Sequence, residues 1–148
     1  MPQSLAKVYI HLVFSTKYNK SIIKEKYRKE LQAIIVSILA KENSFTDELY
    51  ANPSHIHVLC TLPRTITIAQ LVLKVKAKTS RWLKTKGINN FKWQDGYAVF
   101  SVSSSKVPVV RNYIIKQPEH HKKLTYKEEL RAFFERYQVK YDERYVWD

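Results

Sequence analysis

With 148 residues, five prolines, two glycines and a single cysteine, the chain reads as one domain over 1–148 that buries its own core, without flexible linker or disulfide framework. No apolar run is long enough to span a bilayer and Met1-Pro2-Gln3-Ser4 does not open a secretory signal, so the expectation is a cytoplasmic protein with no membrane partner. The formal net charge is +13 and lies wholly in residues 1–117, since 119–148 hold seven basic and seven acidic side chains; so one-sided a field favours a polyanion.

Lys7–Thr16 (KVYIHLVFST) is β-branched and aromatic and predicts a strand buried on at least one face. Ile22 to Asn43 places Ile34, Ile35, Ile38 and Leu39 at helical spacing among charged residues. A short strand around Leu49–Ala51 leads through Asn52-Pro53-Ser54 to a third strand, His55–Leu62 (HIHVLCTL), ended by Pro63. Thr67 and Gln70 form a capping box for a helix to about Lys86, with Gly87 suited to the residue after it. Phe91–Trp93, an Asp95-Gly96 turn and Tyr97–Ser103 supply the last strand or hairpin. Ser105 can cap a short helix, Lys106 to Gln117, which Pro118 interrupts; Thr125 and Glu128 box the start of a final helix through about Tyr137. The order β-α-β-β-α-β with added C-terminal helices predicts an α+β, ferredoxin-like fold, an antiparallel sheet with its helices on one face.

Three patterns carry chemistry. His55 and His57 lie two apart on a strand, so both imidazoles face one way while Ile56, Val58 and Cys60 face the core. Such a pair can chelate a divalent ion, though it is equally the pattern of half-buried, hydrogen-bonded histidines. Tyr113 and Gln117 are four apart, which on a helix brings a phenol within one turn of an amide oxygen able to act as a third ligand. The bland alternative is a tyrosine at the core rim. Between Ile66 and Gln94 stand seven basic residues and no acid, and helical projection groups Lys74, Lys78 and Arg81 on a stripe apart from Leu71, Val72, Val75 and Leu83. That stripe suits phosphate contact, with Trp93 and Tyr97 as stacking candidates. Arg111 and Lys116 flank Tyr113 and are further candidates for the phosphate backbone. His11 reads as structural, His120 and His121 as caps or backbone contacts, and no residue stands out as a general base.

Taken in order, KVYIHLVFSTKY at 7–18, His55-Ile56-His57, Leu62-Pro63, KTSRWL at 78–83, WQDGY at 93–97 and YIIKQ at 113–117 resemble the single-tyrosine HUH transposases of the insertion-sequence 200/605 group, in which HUH is His, a bulky hydrophobic residue, His. The resemblance extends over nearly the whole chain, including a tail at Tyr141–Asp148. It implies a Mg²⁺ (or Mn²⁺) ion held by His55, His57 and Gln117, and a nucleophilic Tyr113 that forms a 5′-phosphotyrosine link. It further implies single-stranded DNA with subterminal hairpins as partner, and a homodimer in which the tyrosine helix of one copy can complete the site of the other. The family commonly has Asp before the first histidine; Ser54 stands there instead, which puts metal affinity in question more than reaction type. The rival readings are a catalytically inactive, domesticated DNA-hairpin-binding protein and a metal-dependent nuclease that uses water.

Overall fold

The computed structural model describes residues 2–148. Strands β1 (Tyr9–Ser15), β2 (Thr46–Ala51), β3 (His55–Thr61) and β4 (Ala98–Val102) form one antiparallel sheet in the order β2-β3-β1-β4. Helix α1 (Arg28–Lys41) joins β1 to β2 and α2 (Ile68–Thr85) joins β3 to β4, which is the ferredoxin-like arrangement expected. Three helices follow: α3 (Val107–Ile115), the single turn α4 (Gln117–His120) and α5 (Tyr126–Arg136). No helix among the described residues is long and apolar enough to cross a membrane.

The pleat divides the central strands between two cores. Ile10, Leu12 and Phe14 of β1 and Ile56, Val58 and Cys60 of β3 pack with Leu31 and Ile35 of α1 and Leu71 and Val75 of α2. The C-terminal helices close the other face: Val13 and Phe100 meet Leu130 and Phe134 of α5, while Leu59 and Val102 meet Val107 and Ile114 of α3. The histidines of β3 therefore lie beneath α3 and α5, sealed between the sheet and the C-terminal layer. Ile56, between them in sequence, is fully buried on the opposite side. Ile56→Ala should cost about 2–5 kcal/mol through lost burial and a residual cavity. The expected reading is a lower urea midpoint at unchanged slope; an unchanged midpoint would show that the core does not rest on this strand.

Both capping boxes form: Thr67 and Gln70 at α2, Thr125 and Glu128 at α5, each with side chain and backbone bonded reciprocally. Gly87 follows α2 at φ 90°, a left-handed conformation that costs glycine little. Two local expectations are corrected. Ser105 caps nothing; its hydroxyl lies 3.2 Å from that of Ser103 in a 3-10 turn, and α3 starts instead at Val107-Pro108, where proline's missing N–H goes unneeded. Phe91–Trp93 makes no hairpin with β4: Trp93 forms one bridge to Thr16, and β4 pairs with β1. The Trp93 indole is drawn into the α1/α2 core, its ring edge on Phe14 and its N–H donated to Thr79 Oγ1 at 3.0 Å.

Candidate metal centre and nucleophile

His55 and His57 are both nearly fully buried, and the ring nitrogens of each have hydrogen-bond partners. Ser54 Oγ lies 3.0 Å from His55 Nδ1. The serine at position 54 is thus within hydrogen-bond reach of the imidazole. His57 Nε2 is 2.9 Å from Glu129 Oε1 and its Nδ1 is 2.8 Å from His11 Nε2. A carboxylate only accepts, so Nε2 of His57 donates to Glu129, and one proton joins His57 Nδ1 to His11 Nε2. His11, expected to be merely structural, is hydrogen-bonded to His57 within the site.

The C-terminal segment brings the remaining groups to the same place. Pro118 cannot donate to Ile114, so α3 ends at Ile115 and the chain restarts as α4 with Gln117 in its first turn. Tyr113 and Gln117 nevertheless both face the histidines. The Tyr113 hydroxyl donates to Glu129 Oε2, and its ring stacks on His120 at 4.6 Å and meets the edge of Phe133. Gln117, fully buried, donates from Nε2 to Glu129 Oε2 at 2.9 Å and accepts at Oε1 from Asn52 Nδ2 at 3.0 Å and from His121 Nε2 at 2.9 Å. One ligating atom from each of His55, His57, His121 and Glu129 lies within 4.8 Å of the others. Three imidazoles and a carboxylate at that spacing fit a divalent ion, with the amide oxygen of Gln117 at the edge of the same cluster.

The charges are distributed by burial and pairing. Burial pushes the His55 imidazole down to about 4 and holds His11 well below its usual range, where the neighbouring His57 also opposes a second charge. Burial alone would lower His121, but its bond to Glu129 and that residue's charge raise it. Burial alone would raise Glu129; the charge of His57 and the bonds from His121, His55 and His57 hold it well below the usual carboxylate range. The Tyr113 phenol is driven up by burial, then by the charge of Glu129 and the bond to it. As the site stands, the phenol is locked protonated against an ionised carboxylate.

The expected phosphate contacts are placed elsewhere. Helix α2 packs on the α1 side of the sheet, opposite the histidines, with Lys78 and Arg81 exposed and Lys74 paired with Glu42. Arg111 makes a forked pair with Asp47 of β2 at 2.7 and 3.0 Å, and Lys116 is exposed at the end of α3. Trp93 is buried, which removes it as a stacking platform; Tyr97 is 41% exposed.

Sequence reasoning missed Glu129 and undervalued His121. A signal for the first existed: Tyr126, Glu129, Leu130, Phe133 and Phe134 share one helical stripe, and a lone acid inside an apolar stripe needs a partner. His121 had no such mark.

A family profile described as "Transposase IS200 like" matches residues 4–117. No protein of the curated set matches the chain. Among solved structures, a protein of Deinococcus radiodurans R1 described as a candidate transposase superposes with a TM-score of 0.60 at 22% identity, covering 79% of this chain and 98% of its own. A REP-associated tyrosine transposase bound to a REP hairpin superposes with a TM-score of 0.63 at 15% identity, covering 84% of this chain and 74% of its own. Both likenesses are of fold.

Proposed function

The chain belongs to the IS200-like transposase family, and from that premise we propose that it cleaves and rejoins single-stranded DNA at the hairpin-bearing ends of an insertion sequence, through a 5′-phosphotyrosine on Tyr113 and with a divalent ion at the histidine cluster. The observation that carries this reading is that the Tyr113 hydroxyl and His57 Nε2 meet on the two oxygens of one buried carboxylate, Glu129. The REP hairpin bound by the solved relative supports a DNA hairpin as the partner here.

An ion held by His55, His57 and their neighbours would polarise a non-bridging phosphate oxygen and stabilise the 3′-oxygen as charge builds on it. The chain's own groups do the rest. The phenol O–H bond of Tyr113 breaks with the proton passing to a hydroxide of the surrounding water, the phenolate oxygen bonds to phosphorus, and the bond from phosphorus to the 3′-oxygen breaks, that oxygen taking a proton from water and restoring the hydroxide. The phosphotyrosine keeps the ester available, so a 3′-hydroxyl can later reverse the step and rejoin DNA without ATP. Three imidazoles suit Mn²⁺ better than Mg²⁺, which prefers oxygen donors and retains its waters. Tyr113 reaches the histidines of its own chain, so a homodimer would pair two complete sites. The test is covalent capture: purified protein, Mn²⁺ and an end-bearing single strand should give a denaturant-resistant adduct, and binding without any adduct or cleavage would leave only a hairpin-binding protein.

Two further expectations follow from named contacts. Ser54→Ala, by freeing His55 Nδ1, should weaken Mn²⁺ binding about tenfold in calorimetric titration, and equal affinity would mean the serine does not orient the ring. If Lys78 and Arg81 contact phosphate, replacing each by Ala should reduce the slope of log affinity against log salt by roughly 0.7 per charge, whatever the DNA sequence. An unchanged slope would assign the DNA path to the other face, past Lys116.

A further inference from the structure

The turn after β1 has an unusual construction. Tyr18 and Asn19 are consecutive non-glycine residues in the left-handed region, φ 60° and 54°. That conformation is costly, and here the surroundings enforce it: Thr16 Oγ1 donates to Lys20 O at 2.7 Å, Asn19 N to Thr16 O at 2.9 Å and Lys17 N to Lys92 O at 2.8 Å. The result is a tyrosine 72% exposed, with the Lys17 and Lys20 ammonium groups 5.4 and 5.7 Å from its ring centre. Beside it opens a cavity of about 640 Å³ whose wall includes Lys17, Lys20, Lys84, Lys92 and Asn90, and no acidic residue. Lys17 pairs with Asp95 from the rim; Lys20, Lys84 and Lys92 have no acidic partner among the described residues.

The same turn borders the metal centre. Thr16 N donates to Ser54 O at 2.9 Å, next to His55. On its other side Asn19 and Ser21 line a second cavity, about 440 Å³, whose wall also holds Ser54, His55, His121 and Lys122. The turn thus lies between the cavity at His55 and His121 and the cavity at Tyr18.

We propose that Tyr18 is a stacking platform for an unpaired nucleobase next to the cleaved phosphodiester, with Lys20, Lys84 and Lys92 binding the adjoining phosphates and the Asn90 amide facing the base edge. An aromatic ring in a basic groove is the arrangement that holds single strands, and charge complementarity selects a nucleotide over an apolar occupant. Trp93, the stacking candidate suggested by sequence, is buried; Tyr18 offers the face it lacks. This site rests on the single-stranded DNA reading above.

The experiment is fluorescence anisotropy at fixed salt with the full chain and a labelled single strand, intact or carrying one abasic site moved stepwise along it. Wild type should lose affinity at one or two abasic positions. Tyr18→Ala should bind the intact strand roughly five- to a hundredfold more weakly, lose nothing further at those positions, and keep duplex binding, while Tyr18→Phe should behave as wild type. The ring is exposed, so circular dichroism should be unchanged in both variants. Equal affinity of Tyr18→Ala and wild type for the intact strand overturns the platform alone. A wild type that binds no single strand overturns the platform and the functional reading together, and an adduct through Tyr113 that persists in Tyr18→Ala at saturating DNA separates the two.

Discussion

Tyr113→Phe should abolish the denaturant-resistant protein–DNA adduct while metal binding and oligonucleotide binding remain. The substitution removes one oxygen. Glu129 Oε2 loses the phenol as a donor but keeps Gln117 Nε2 at 2.9 Å, and the ring retains its stack on His120 and its edge contact with Phe133. The cost in stability is therefore about 1 kcal/mol, that of a single hydrogen bond. The cost in chemistry is far larger, because the attacking atom itself is gone; removing a covalent nucleophile lowers turnover by at least about a thousandfold. Nine other tyrosines remain in the chain, so the result is specific. An adduct that survives in the variant assigns the linkage to another tyrosine. Cleavage that survives at the same phosphodiester, without adduct, makes water the nucleophile and turns the protein into a nuclease of the same fold.

How much of this was legible before the structure depended on whether the signal was local. Capping boxes are local, and both appeared where Thr67–Gln70 and Thr125–Glu128 placed them. Strand alternation is local too, so the shared face of His55 and His57 and the opposite burial of Ile56 followed from period alone. Tyr113 and Gln117 were readable as a pair because four residues make one turn, even though the helix breaks between them at Lys116. What the sequence could not disclose was which element covers which face of the sheet. Glu129 lies 72 residues from His57, and only the docking of α5 over β1 and β3 brings the carboxylate to the imidazole. His11 is 46 residues from His57 and was hidden for the same reason. The fate of Trp93 was decided by competition: a ladder with β4 lost to burial of the whole indole against Phe14 and Phe91, which period-two alternation does not register.

Glu129→Gln should decide between two ligand sets, and its expected effect on the metal is large. The family resemblance implies His55, His57 and Gln117; the spacing of donor atoms also allows His55, His57, His121 and Glu129. In the second set Glu129 is the only anion, 2% exposed, and it touches every other member, His57 Nε2 at 2.9 Å, His121 Nε2 at 3.4 Å and His55 Nε2 at 3.5 Å, while also accepting from Gln117 Nε2 at 2.9 Å. Glutamine keeps the shape and removes the charge. If Glu129 is a ligand, Mn²⁺ affinity should fall by at least about a hundredfold, beyond what loss of an orienting contact alone gives. If it only orients the histidines and Tyr113, affinity should fall by less than about a hundredfold, and the loss should appear in the stability of the metal-free protein. The sign of that stability term is fixed by the direction of the shift. A carboxylate held well below its usual range contributes stability that is fully present above the unfolded value and is lost as pH falls through the folded one. The metal-free wild type should therefore lose its advantage over Glu129→Gln on acidification, while the difference in Mn²⁺ affinity is measured near pH 8, where the imidazoles are free to give up their protons. Unchanged affinity there would return the third ligand to Gln117 and leave Glu129 as the residue that positions the tyrosine.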